Sequence, residues 1–187
     1  GETSMDKELL SVLEAREQRW QLRKMLAEKR HSCLITVTLC IPVAFRTGED
    51  FELIFQRLCR SFCDILESRG QSFSIEGHLR GSDGPAFFIS TKAEAGMIKK
   101  ICVEAEETIA GGRMLDIDVM DSRGTPVSRT DIGLPQRKCF ICDKPAVSCV
   151  SRRLHSQEEV NAQVERLKRQ AEEAFFVNLD GGRCESR

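Results

Sequence analysis

The chain has 187 residues, enough for one well-formed core, and 41% hydrophobic with 30% charged residues marks a globular protein rather than a disordered one. No apolar run approaches the roughly 20 residues that span a bilayer, and no charged segment leading into a long apolar stretch marks a secretory signal. The net charge of -1 conceals a basic stretch at residues 122–155, where Arg123, Arg129, Arg137, Lys138, Lys144, Arg152 and Arg153 meet only Asp131 and Asp143. Such a stretch suits a polyphosphate, a nucleic acid or an acidic protein surface; the plainer reading is a solvated face. Nine cysteines without a secretory signal point to a reducing, cytoplasmic compartment, where thiols stay free or bind metal.

Residues 6–30 lack Gly and Pro and are rich in helix formers, so they read as a helix. At 100° per residue Arg16, Arg19, Arg23 and Arg30 fall within about 60° of one another, a single basic stripe. Residues 33–41 are β-branched and apolar and read as a buried strand ended by Pro42. Thr47 and Asp50 mark a helix start, and Phe51, Ile54, Phe55, Leu58, Phe62, Ile65 and Leu66 keep a helical period up to Gly70. Phe73, Ile75, Gly77 and Leu79 alternate as a half-buried strand, and the turn Gly81-Ser82-Asp83-Gly84 leads to a second strand at 86–90. Thr91 and Glu94 predict a capping box for a helix carrying Met97, Ile98, Ile101, Ala105 and Ile109. Gly111 and Gly112 close it, and 114–120 is another strand.

This order predicts an α+β fold, an antiparallel sheet in βαββαβ (ferredoxin-like) order with two helices on one face. An N-terminal helix precedes it. A C-terminal Cys/His segment follows, then a helix capped by Ser156 and Glu159, carrying Val160, Val164, Leu167, Ala171 and Ala174, and stopped by Gly181-Gly182. Residues 1–4 read as an expression scar, leaving one domain over 5–180, with its core at 33–121 and the basic segment and helix at 122–178.

The sharpest chemical feature is Gly111-Gly112-Arg113-Met114-Leu115-Asp116-Ile117-Asp118-Val119. Residues two apart in a strand point the same way, so Asp116 and Asp118 project together while Leu115, Ile117 and Val119 bury the other face. Adjacent carboxylates repel and persist most easily around a cation; Mg²⁺ held so can bridge phosphate oxygens. An acidic, wet strand face is the alternative. The two glycines and Arg113 favour phosphate, because glycine allows close approach to the backbone.

Downstream, Arg129 and Arg137 could clamp phosphate, and Asp131 could orient an arginine or add a third carboxylate. Cys139, Cys142, Cys149 and His155 have the spacing C-x2-C-x6-C-x5-H, which suits tetrahedral zinc, buried free thiols or a redox pair. The chain lacks a Gly-x-x-x-x-Gly-Lys loop and a G-x-S-x-G elbow, against a P-loop NTPase or an α/β hydrolase.

Taken together, G-R-x-x-D-I-D-V, then S-R-x-D-x-x-L-P-x-R-x-C-x-x-C, then a further Cys and His resemble the apo-citrate lyase phosphoribosyl-dephospho-CoA transferases, or citrate lyase holo-acyl-carrier-protein synthases. The resemblance runs from Gly112 to His155 and, more weakly, back through Lys29-Arg30-His31 to Arg16-Glu17-x-Arg19. It implies transfer of the prosthetic group from 2'-(5''-triphosphoribosyl)-3'-dephospho-CoA to a serine of the acyl carrier protein (gamma subunit), with diphosphate leaving. On that expectation Asp116 and Asp118 hold Mg²⁺ and are the catalytic pair. Arg113, Arg129, Asp131 and Arg137 serve the phosphates, while Arg16, Arg19 and Arg30 grip substrate or carrier. The nucleophile comes from the partner.

A polymerase-β-like nucleotidyltransferase fold is the structural alternative, but its Gly-Ser or Gly-Gly signature precedes a short helix, and here Gly111-Gly112 abuts the strand. The functional alternative is a non-catalytic zinc-bearing module that binds nucleic acid or protein. Its basic segment contains only Phe140 as an aromatic, so no nucleic-acid partner is expected. A third reading changes the carrier, for example to that of malonate decarboxylase.

Overall fold

A computed structural model describes residues 4–180, so the Gly181-Gly182 stop and the tail beyond it lie outside the described residues. Helix α1 (Ser4–Arg30) leads through His31 into β1 (Cys33–Leu39), and the short α2 (Val43–Arg46) follows Pro42. Next come α3 (Glu49–Ser68), the hairpin β2 (Ser74–Gly81) and β3 (Gly84–Thr91), and α4 (Ala95–Thr108). A 3₁₀ turn (Gly112–Met114) precedes β4 (Leu115–Met120). Then β5 (Pro126–Val127), a second 3₁₀ turn (Thr130–Ile132), α5 (Ala146–Arg152) and α6 (Gln157–Asp180) complete the fold.

The fold is α+β, with one five-stranded sheet in the order β2-β3-β1-β4-β5 and antiparallel pairing throughout. Strand β1 lies between β3 and β4, as an interleaved βαββαβ chain requires. The short β5 extends the four expected strands past β4. Gly81-Ser82 forms the hairpin tip joining β2 to β3, with no helix after it, so the glycine signature of a polymerase-β-like arrangement is missing at that point too.

The two-residue period of the strands divides the sheet cleanly. Ile35, Val37, Leu39, Phe87, Ile89, Leu115, Ile117 and Val119 point to the face covered by α3, α4 and α6, all but fully buried. The stripe Phe51, Ile54, Phe55, Leu58, Phe62 and Leu66 anchors α3 there, each large side chain contributing about 1.5–3 kcal/mol by burial. A third helix, α6, thus joins the two expected on this face. Helix α1 covers the opposite face, where Leu26 and Ala27 pack on Leu34 and Met120.

Several local expectations change. Glu94 itself caps α4, its carboxylate accepting from Gly96 and Met97 N–H at 2.7 Å, while Thr91 Oγ1 accepts from Ala93 N–H. Gly48 caps α3 without any side-chain bond, so Thr47 and Asp50 do not form its cap. Ser156 and Glu159 do form the reciprocal box. Strand β2 is an edge strand with a bulge between Ile75 and Gly77, which leaves Ile75 exposed instead of half-buried.

Gly111 and Gly112 are packing residues. A Cβ on Gly111 would lie 2.8 Å from Ala171 Cβ, and one on Gly112 would lie 2.8 Å from the Ala105 carbonyl oxygen. The close approach that these glycines permit is filled by α6 and α4, not left open to a phosphate. Gly111→Ala should therefore cost about 3 kcal/mol, a left-handed penalty (φ 77°) added to overpacking. Gly133→Ala has the first penalty alone, since its φ is 74° and its surroundings are open. Urea unfolding of both variants checks this, and equal losses would contradict the packing role.

Candidate functional site

Strand β4 alternates Leu115, Asp116, Ile117, Asp118 and Val119, so burying its apolar side obliges both carboxylates onto the α1 face. They sit across from β1, Asp116 paired with Thr38 and Asp118 with Thr36. The Asp116 side chain is 48% exposed, whereas Asp118 is half-buried beneath α1. Burial and the neighbouring Asp116 charge raise the Asp118 carboxyl above its ordinary value, against the pull of Arg23, Lys99 and Arg19. Thr36 Oγ1 is buried beside them without a hydrogen-bond partner.

Above the pair runs the arginine stripe of α1, and its members have different duties. Arg23 faces both aspartates. Burial draws its guanidinium down despite Asp118; Arg19 adds to the fall and Asp116 resists it. Its Nε is buried without a partner, and its guanidinium lies 5.5 Å from the Trp20 ring centre. Arg19 donates to Asp83 at 2.5 Å, tying α1 to the tip of the β2–β3 hairpin. Arg30 donates to Glu76 at 2.9 Å, near the far end of α1, and Arg16 is exposed with no ion pair among the described residues. Arg46 joins the same tip through the Asp83 carbonyl at 3.4 Å.

The second wall comes from the basic loop. Arg137 donates to the carbonyls of Leu115 and Arg113, both at 2.8 Å, and pairs with Glu106. Its Nη1 lies 3.9 Å from Asp116 Oδ1. Arg129 pairs with Glu106 at 3.3 Å and with Glu107 at 3.5 Å. Glu106 is 2% exposed, and burial pushes its carboxyl up against Arg137, Arg129 and Lys99; at Arg137 the surrounding negative groups outweigh burial and raise the guanidinium. With a guanidinium on each oxygen, we take Glu106 as ionised at neutral pH. Arg113 donates to the Lys138 carbonyl at 2.8 Å. Asp131 accepts the Ser128 N–H at 2.8 Å, which commits its carboxylate to its own loop.

Cys139, Cys142, Cys149 and His155 each offer one ligand atom, all within 4.8 Å of one another, a group that could hold a metal ion such as zinc. A cavity of about 670 Å³ lies on the other side of the sheet, between α3 and the β2–β3 hairpin, lined by Phe55, Cys59, Phe73, Ile75 and Leu79. Neither Asp116 nor Asp118 lines it, and the candidate site is instead the cleft between β4 and α1.

Residues 7–171 match the family described as apo-citrate lyase phosphoribosyl-dephospho-CoA transferase. The chain belongs to this family. A probable apo-citrate lyase phosphoribosyl-dephospho-CoA transferase of Vibrio cholerae serotype O1 is 31% identical over 141 residues, 74% of this chain and 79% of that protein. One of Streptococcus pyogenes serotype M18 is 30% identical over 169 residues, covering 86% of this chain and 84% of its own. An apo-citrate lyase phosphoribosyl-dephospho-CoA transferase of Citrobacter koseri is 26% identical over 163 residues, 87% of this chain and 86% of its own. The family match spans the α1 stripe, the β4 aspartates and the Cys/His cluster alike. No helix among the described residues is long and apolar enough to cross a membrane.

Sequence reasoning passed over Glu106, Lys99, Asp83 and Arg46. Lys99 is buried on α4 and donates to the Ile117 carbonyl at 2.8 Å, directly behind the aspartates. Glu106→Ala should cost about 3–5 kcal/mol, because two guanidiniums lose their buried counter-charge. Glu104→Ala, which breaks only an exposed pair with Arg69, should cost less than about 1 kcal/mol. Comparative urea unfolding decides; losses of similar size would contradict the central place of Glu106.

Proposed function

We propose that this chain transfers the phosphoribosyl-dephospho-CoA group from its triphosphate precursor to a serine of the citrate lyase acyl carrier protein, releasing diphosphate and forming holo-citrate lyase. The observation that carries this reading is the carboxylate pair on β4 under the α1 arginines, in a chain whose relatives bear the name of that transferase. In this reading the serine oxygen attacks the phosphorus nearest the ribose, a phosphodiester bond forms and the bond to diphosphate breaks. The serine proton leaves to solvent through the exposed Asp116 side of the cleft. This is nucleotidyl-type transfer, in which positioning and charge do most of the catalysis.

The residues fit Mg²⁺. Asp116 and Asp118 supply hard oxygen donors, their mutual repulsion calls for a cation, and the unpartnered Thr36 hydroxyl lies across from Asp118. Held there, Mg²⁺ would neutralise charge on the phosphates and on the leaving diphosphate. Arg23, with an unpartnered Nε, is the cation best able to meet a phosphate oxygen, and exposed Arg16 extends the positive surface. Arg19, Arg113, Arg129 and Arg137 are already bonded within the protein; they supply fixed positive charge at the rim. Arg30 and Asp131 hold α1 and the loop in place.

Incubation with apo-carrier, triphosphoribosyl-dephospho-CoA and Mg²⁺, followed by weighing the carrier, should show the added group. No mass increase would overturn the reading, and modification of only a malonate decarboxylase carrier would redirect it. Asp116→Asn should reduce transfer by about 100-fold or more while keeping the unfolding midpoint. Near-normal transfer by that variant would remove the metal assignment. Arg23→Gln should raise KM for the precursor, checked by initial rates at varied precursor concentration; an unchanged KM would remove Arg23 from the phosphate site.

A further inference from the structure

The reaction proposed above makes no use of the Cys/His cluster. In the described chain Cys142 Sγ and Cys149 Sγ are 3.5 Å apart, and the remaining ligand atoms lie within 4.8 Å. Four donors around zinc, with Zn–S near about 2.3 Å, stand roughly 3.8 Å apart along each edge of the tetrahedron. The cluster therefore has the size of a metal site, whereas a disulfide needs sulfurs at about 2.05 Å.

The backbone around the cluster is shaped for a cation. The Ile141 N–H donates to Cys139 Sγ at 3.4 Å, the bond that stabilises a thiolate at a metal knuckle. Cys139 N–H donates to the Lys144 carbonyl and Ala146 N–H to the Arg137 carbonyl, both at 2.8 Å, folding the first two cysteines back toward α5. Helix α5 carries Cys149 and is capped by Arg153, whose φ of 47° lies in the left-handed region that non-glycine residues rarely adopt. That turn returns His155 to the cysteines, and its Nε2 is buried with no protein partner.

Helix α5 has little else to hold it. Val147 is 72% and Val150 78% exposed, so α5 buries almost no apolar surface of its own. Small units without a core are commonly folded by a bound metal.

We propose that Cys139, Cys142, Cys149 and His155 bind one zinc ion in a closed, four-ligand structural site, which holds the segment carrying Arg137 against the aspartate cleft. Binding expels the thiol protons to solvent. No ligand position is left for water, so the ion takes no part in the chemical step. Its reach into the cleft is through the chain: Lys138, next to Cys139, accepts from Arg113, and Arg137 is bonded to the β4 backbone. Gln163 of α6 also donates to the Phe140 carbonyl at 2.6 Å, anchoring the knuckle from its other side. The positioning half of this proposal rests on the transferase reading, and the zinc half stands without it.

The test uses the full chain purified under reducing conditions in zinc-containing medium. Metal analysis should find one zinc per chain, and replacement by Co²⁺ should give the absorption bands of a tetrahedral thiolate site. Cys142→Ser and His155→Ala should lose the ion, His155→Cys should keep it, and Cys59→Ser, at a distant buried thiol, should leave zinc content unchanged. Substoichiometric zinc together with no tetrahedral cobalt spectrum would overturn the site, whether or not the protein is active. Because ligand variants can fail to fold, the cobalt spectrum of the unaltered chain stands as the deciding measurement. In the carrier-weighing assay, removing zinc with a zinc-selective chelator while Mg²⁺ is kept in excess should lower transfer by about tenfold or more, with recovery on adding zinc. Full zinc content with transfer indifferent to its removal would overturn the link to Arg137.

Discussion

The two-residue period of β4 is the constraint on which the site depends. Three apolar residues must enter the core, so the two aspartates between them must share the opposite face, at the spacing where like charges repel. That face cannot be covered by an ordinary apolar helix. It is covered instead by α1, whose buried residues are the two small alanines Ala15 and Ala27 and whose middle presents Arg19 and Arg23. The unusual composition of α1 follows from what it must sit on.

A second ionic layer supports the first from behind. Buried Glu106 binds both Arg129 and Arg137, and Lys99 binds the carbonyl between the aspartates. These groups lie on or against α4, so the helix that packs the hydrophobic core also sets the charge around the cleft. Most of the cationic groups at the rim are bonded to backbone carbonyls or carboxylates, which fixes their direction before any ligand arrives. Preorganised charge of this kind needs no reorganisation when a polyanion enters.

Much of this was legible in the sequence where the signal is local. The β4 aspartates, the α1 stripe, the buried stripe of α3 and the Ser156–Glu159 box all follow from periods of two or 3.6 and from residue type. Which face α1 would cover was not legible, because that depends on which side α3, α4 and α6 leave free. Glu106 and Lys99 read as ordinary helix charges, and only tertiary packing makes them buried. Gly111 and Gly112 pointed to a phosphate for a sound reason, close backbone approach, but the approaching groups are α6 and α4. Asp131 similarly looked available until its own loop claimed it.

The way α1 is fastened has a consequence for the medium in which the protein works. Besides the apolar contacts of Ala15, Leu26 and Ala27, the helix is tied down by Ser11 to Ser82, by Arg19 to Asp83, by Arg30 to Glu76 and by Lys92 to the carbonyls of Arg30 and His31. Of these ion-paired groups only the Arg30 side chain, 54% exposed, is open to solvent; Arg19, Asp83 and Glu76 are 18%, 1% and 5% exposed, and salt screens such partly buried contact pairs little. Salt therefore reaches the Arg30 end of the cover first and leaves the Arg19 tie at the hairpin tip largely in place.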